Sequence, residues 1–336
     1  MKEINYRENM LDSKVYKENY VNEIIGIIAD REAAAVAKRD NYCRDIFIEQ
    51  EKYREKFKAM LGWPLTGDKD HSVPYAKMKK LADDNVCSIY RVSVEVMSGF
   101  FMTGLLFQKD EKKRSLVIVQ HGGGGTPELV GNLYGDTRNY NRIIERILKY
   151  DANVFAPQLL IWDEPHQVDY DRTALDAQLK RVGSSITALE IYGLSRILDY
   201  FEVQPYVSNF GMAGLSYGGF YTMFMAAVDT RIKAAVSCAF FNNRKNFVFN
   251  DWAWFGAAET FSDAEIACLV YPRKLCIQVG INDPLFEIKS AEEEMERLKA
   301  MSKTVAGDWL DIIKFKGEHE FCWDDEPLKK LVEDIR

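Results

Sequence analysis

Histidine is scarce in this chain, with four in 336 residues, at positions 71, 121, 166 and 319. There is no H-E-x-x-H motif, no C-x-x-C pair, and no Cys or His set at ligand spacing, so the common zinc-site patterns are excluded. The six cysteines (43, 87, 238, 268, 276, 322) are scattered. With no apolar leader in the opening MKEINYREN, they read as reduced thiols of a cytoplasmic protein. Cys238 and Cys276 stand in apolar runs, where a thiol behaves as a small core residue. No long basic run occurs and the net charge is −7, which argues against nucleic acid and anionic membrane as partners. Val203 to Val228 carries no charge and has the length of a membrane span. Pro205, Asn209 and glycines at 211, 214, 218 and 219 make a strand, a tight turn and a buried helix the better reading.

Hydrophobic residues at 47% and charged residues at 28% describe an ordinary soluble globular enzyme, long enough to bury a sizeable core. From about Ser13 to Met60 the sequence is charged and helix-favouring, and Gly62-Trp63-Pro64 ends the helix. That segment reads as a helical arm packed on the domain surface, or as part of a contact between copies. Two strand-like runs follow, CSIYRVSVEVM and FFMTGLLFQ, with Ser98-Gly99 as the hairpin turn. Short apolar runs then alternate with helical segments: SLVIVQ, NVFAPQLL, SNFGMA, KAAVSCAF, KLCIQVG and WLDIIKF are the strands. This alternation predicts an α/β fold with a mostly parallel central sheet and helices on both faces. The boundaries expected are an N-terminal helical extension over 1–84 and a catalytic domain over 85–336.

In such a sheet, reactive residues collect beyond the carboxyl ends of the strands. Ser216 sits in GLSYGG, between the strand SNFGMA and a helix starting near Tyr217, the context a nucleophile on a sharp turn requires. Glycines at 214 and 218 give the turn room, and the helix N-terminus favours an oxyanion. A serine hydroxyl needs a base, and only His319, in KGEHEF after WLDIIKF, lies C-terminal to Ser216. Asp283, in VGINDPLF after KLCIQVG, is the preferred orienting acid, and Asp251, in FNDWAWF, is its competitor. QHGGGG at 120–125 follows SLVIVQ and offers backbone amides to an oxyanion. Gly123 with Tyr217 is the expected oxyanion hole, Gly122 the close alternative, and His121 a structural residue of that loop. No G-K-[ST] follows, so the loop is not a phosphate loop.

HGGGG, GLSYGG, GINDPLF and GEHEF resemble, in this order, the α/β-hydrolase superfamily. DTRIKAAVSCAFF, KLCIQVGINDPLF and the helical extension are similar to its dienelactone-hydrolase and acetyl-xylan-esterase-like branch. The resemblance covers about 85–336. It implies a serine esterase working through an acyl-enzyme, with Ser216, Asp283 and His319 as triad and no metal or cofactor. Dienelactone hydrolases proper carry cysteine at the nucleophile, so Ser216 favours an ordinary carboxylic ester. A small ester, including an acetylated sugar, is the expected substrate. The same triad also serves peptidases, thioesterases and acyltransferases, and a non-catalytic binding protein of this fold is the remaining alternative.

Two insertions after strands are expected to flank the site. One carries Trp162, Asp163 and His166, and the other, 240–255, is dense in aromatics and includes Trp252 and Trp254. These residues either contact substrate or pack over the sheet edge.

Overall fold

The computed structural model describes residues 9–68, 70–161, 168–246 and 249–336. Its N-terminal part is the helices α1 (Met10–Tyr42) and α2 (Gln50–Leu61). The single helical segment expected from the sequence is broken at 43–49, because Cys43 and Ile46 turn inward and are buried there. β1 (Ala76–Asp83), β2 (Ser88–Met97) and β3 (Phe100–Gln108) form an antiparallel meander, with Met97 opposite Phe100 at the Ser98-Gly99 turn. β1 has no counterpart in the sequence reading. Its lysines and almost uniform exposure give it none of the apolar alternation that marks a strand.

After β4 (Arg114–Gln120) come α3 (Pro127–Val130), α4 (Ile143–Leu148) and β5 (Asn153–Pro157). Then follow α5 (Arg172–Arg181), α6 (Ile186–Glu202), β6 (Val207–Leu215), α7 (Tyr217–Val228) and β7 (Ile232–Cys238). α8 (Asp263–Cys268), β8 (Lys274–Gly280), α9 (Ile288–Ser302), β9 (Leu310–Phe315) and α10 (Glu326–Asp334) complete the chain. The strands lie in the order β1-β2-β3-β5-β4-β6-β7-β8-β9. From β5 to β9 every neighbouring pair is parallel.

Both faces of the parallel part are covered, as its continuous apolar strands require. Along β4, Leu116 and Ile118 enter the core layer that α2, α6 and α7 close, while Val117 and Val119 enter the layer under α4 and α10. The uncharged stretch from 203 onward is β6, a turn and the wholly buried α7. Among the described residues no helix is long and apolar enough to cross a membrane.

The C-terminal end of α1 docks on the body through ions. Arg39 reaches Glu265 at 3.2 Å, and Arg297 bridges Glu265 and Asp40 at 2.5 Å each. Glu265 lies in a buried acidic patch with Asp263 and Glu294. Burial first, and then Glu265, push the Glu294 carboxyl up to about 7. Because the folded state holds that proton above the ordinary carboxylate range, the contribution is present at low pH and is lost as pH rises toward 7. Glu294→Gln keeps the acceptor for the Ala264 N–H, which sits at 2.8 Å. It is expected to raise the melting temperature at pH 8 by about 1–2 °C per kcal/mol relieved, and to do little near pH 5. Calorimetry at the two pH values checks this.

Candidate active site

Ser216 has φ 59° and ψ −122°, a conformation that costs a non-glycine residue energy. Its N–H donates to the Cys238 carbonyl at 2.8 Å, and its carbonyl accepts from Phe220 as α7 begins. The glycines have the role their spacing suggests. A Cβ at 214 would overlap the Gly218 carbonyl, and one at 218 would overlap the Gln120 carbonyl at the end of β4. Strand β6, helix α7 and the loop after β4 therefore meet at backbone contact.

Asp283 and His319 come together. The His319 Nδ1 lies 2.8 Å from Asp283 Oδ2, and the carboxylate is fully buried. Asp283 Oδ1 accepts from the N–H groups of Leu285 and Phe286 at 2.8 and 3.1 Å. With its acceptors so occupied, Asp283 leaves the His319 Nδ1 as the donor, which fixes the tautomer with Nε2 unprotonated. The two loops are laced together, since Ile281 and Asn282 donate to Phe315 and Gly317 carbonyls at 3.0 Å each. Cys238 links this pair to the serine: its carbonyl holds Ser216, and its thiol donates to the Glu320 carbonyl at 3.4 Å.

Asp251 is elsewhere. Its carboxylate accepts from Arg172 Nε at 2.7 Å and from the Tyr217 hydroxyl at 3.1 and 3.2 Å. Arg172 also pairs with Glu190 at 3.0 Å and donates to the Tyr221 hydroxyl at 2.7 Å, and Tyr221 donates in turn to Glu190. Burial works against the Arg172 charge, yet Glu190, Tyr221 and Asp251 around it push its pKa up, so it stays a cation. This buried cluster pins Tyr217, the residue after Ser216, by its side chain. Sequence reasoning missed it, although Glu190 as a lone carboxylate in the apolar run ITALEIYGLS was a visible signal.

The loop after β4 is fixed from two sides. His121 donates from Nδ1 to the Gly122 carbonyl at 2.9 Å and accepts at Nε2 from the Leu159 N–H at 3.0 Å. Desolvation takes its pKa down to about 4, so it stays neutral and keeps both bonds at ordinary pH. Tyr140 accepts the Gly122 N–H at 2.8 Å. Gly122 thus has its amide spoken for, and the Gly123 N–H has no acceptor among the described residues. A Cβ on Gly122 would stand 3.2 Å from the Ser216 Cβ, so this loop adjoins the serine. Asn139, next to Tyr140, donates to the His319 carbonyl at 3.0 Å. One short segment therefore holds both the glycine loop and the histidine loop, and nothing in RNYN marked it in advance.

Trp252 and Trp254 are both buried. Trp252 packs on Tyr217 (4.7 Å) and Phe220 (5.1 Å), and reaches Phe286 (6.4 Å), which itself stacks on His319 at 5.6 Å. Trp254 lies against Phe220, Phe224 and Arg244, away from the Asp283–His319 pair. Trp162, Asp163 and His166 lie outside the described residues. Among the described residues no group of three or more His, Cys, Asp or Glu is placed to hold a metal ion.

No family model matches the chain, and no curated protein matches it in sequence. Solved structures do match in shape. A glucuronoyl esterase from Solibacter usitatus superposes with a TM-score of 0.62 at 14% identity, over 87% of this chain and 93% of that one. A methylesterase gives 0.63 at 16%, over 91% and 69%. Acetyl xylan esterase 1 from Thermoanaerobacterium sp. gives 0.53 at 13%, over 85% and 93%. The fold is that of the α/β-hydrolases.

The two carboxylates separate by experiment. Asp251→Ala leaves Arg172 paired with Glu190 but removes a buried acceptor of Arg172 Nε and of the Tyr217 hydroxyl, and is expected to cost about 1–3 kcal/mol of stability. Asp283→Asn is expected to unfold at nearly the native denaturant concentration while reacting poorly with an activated ester. A larger activity loss per folded molecule in the Asp251 variant would reverse the assignment.

Proposed function

We propose that the chain is a serine carboxylic-ester hydrolase whose triad is Ser216, Asp283 and His319. The observation that carries this is the 2.8 Å Asp283–His319 pair, laced through Cys238 to a serine held at φ 59° on a helix N-terminus. Ser216 Oγ attacks the ester carbonyl as His319 Nε2 takes its proton, and the imidazolium is stabilised by Asp283. The Gly123 N–H and the Tyr217 backbone N–H face the carbonyl oxygen as it gains charge, at the positive end of α7. His319 returns the proton to the departing alcohol, then deprotonates a water that hydrolyses the acyl-enzyme. The esterases with the same fold act, by their names, on glucuronoyl, acetyl-xylan and methyl esters, which supports a small sugar ester as substrate.

Residues 85–336 carry this chemistry in our reading; within 1–84 the helices α1 and α2 are the extension, and β1 adds an edge strand to the sheet. The six free, buried cysteines fit a reducing compartment such as the cytoplasm.

A fluorophosphonate probe is expected to give one adduct, on Ser216, by intact mass and peptide mapping. Ser216→Ala and His319→Ala are each expected to lower kcat on p-nitrophenyl acetate by roughly 10³-fold or more without loss of fold. No adduct on folded protein, or full hydrolysis by a folded His319→Ala, overturns the proposal.

A further inference from the structure

Most of the length of α1 lies off the body. Of its 33 residues only Ala35 and Arg39 are buried. Val21, Ile24, Ile25 and Ile28 are 53%, 42%, 56% and 53% exposed. Their spacing of i, i+3, i+4, i+7 puts them on one face. Continuing that spacing by two turns gives Ala35, then Arg39, so the face that docks on the body runs off its edge as an unpaired apolar stripe. Leu11, Val15, Tyr16, Tyr20 and Ile27, each more than half exposed, lie on the other faces. Apolar side chains are therefore exposed around α1 as well as along the stripe.

The charges at the two ends of the stripe indicate what covers it. One turn before Val21 stands Lys17, and one turn after Ile28 stands Glu32. Among the described residues the ion pairs of α1 are Lys14–Glu18, Arg31–Glu259, Lys38–Glu259, Arg39–Glu265 and Asp40–Arg297, and Lys17 and Glu32 belong to none of them. The stripe therefore reads cation, four apolar residues, anion. Turned about a two-fold axis between Ile24 and Ile25, it matches itself. Ile24 meets Ile25, Val21 meets Ile28, and Lys17 meets Glu32, each pair occurring twice, as an isologous contact demands. In that register Met10 and Leu11 of one copy lie level with Arg39 and Lys38 of the other. There α1 docks on Ala258 and Glu259. A lipid surface fits less well, because helices that lie on membranes carry a basic polar face. This one mixes Lys14 and Lys17 with Asp12, Glu18, Glu23 and Asp30.

We propose that α1 is a dimerisation arm, pairing antiparallel with α1 of a second copy of this chain about the Ile24–Ile25 midpoint. Sedimentation of the full chain over a micromolar concentration range is expected to show a dimer. Ile24→Glu with Ile25→Glu is expected to raise its dissociation constant by about 100-fold or more. Glu is a better helix former than Ile and the positions are exposed, so circular dichroism and melting of the body are expected to hold. Lys17→Glu alone and Glu32→Lys alone are each expected to weaken the dimer by about 5–10-fold, and the two together to restore it. A native chain that stays monomeric, or a dimer indifferent to the Ile24/Ile25 change, overturns the proposal. Charge swaps that fail to rescue each other overturn the antiparallel register. A monomer that floats with phosphatidylglycerol vesicles assigns the arm to a lipid surface and overturns it as well.

Discussion

The turn between β6 and α7 constrains everything around it. The chain leaves β6 and enters α7 within one residue, Ser216, which takes a positive φ to make the turn. The conformation persists only because its surroundings leave no alternative. Its N–H is bonded to the end of β7, and its glycine neighbours are in backbone contact with the helix and with the end of β4. Three adjacent strands are thereby fixed at their carboxyl ends within a few ångströms. The loops that follow them are short of freedom before any of their own side chains act.

What those loops need beyond this is supplied sideways. The glycine loop is held by His121 and Tyr140, the histidine loop by Asn139 and the Cys238 thiol, and Tyr217 by the Arg172–Asp251 pair. In each case a polar group bonds a backbone or side-chain atom of, or next to, a residue of the proposed triad or oxyanion hole, and all but His121 come from a different segment. Such bonds contribute modestly to net stability and cost much more when broken on one side. Their main effect is therefore to exclude displaced geometries. A site that stabilises charge without reorganising depends on that exclusion.

The difference between what the sequence revealed and what it hid has the same origin. Ser216, Asp283 and His319 each follow a strand of the parallel part of the sheet, so topology alone assigns them to one edge. Choosing Asp283 over Asp251 from the sequence rested on a preference, because both follow strands. The distance to His319 and the capture of Asp251 by Arg172 are three-dimensional facts without a local signature. β1 was invisible because an edge strand that buries little needs no alternation. The break between α1 and α2 was missed because Cys43 and Ile46 bury within a stretch whose composition still favours helix. Tyr140 and Asn139 were missed because a hydrogen-bonding clamp is written in distances of less than 3.1 Å between segments far apart in the chain.

The aromatic insertion after β7 joins the two ends of this account. Trp252 lies between Tyr217 on one side and Phe286, the stacking partner of His319, on the other. Aromatic surfaces of this size contribute through burial, and their offset geometry makes the packing directional. A few residues on, the same insertion carries Ala258 and Glu259, the contacts of Arg39 and Lys38 in α1. The segment that backs the candidate active site is thus the segment on which the arm is seated. The docked end of α1 and the backing of the candidate site are therefore joined by one stretch of chain, so a change at either can be felt at the other through it.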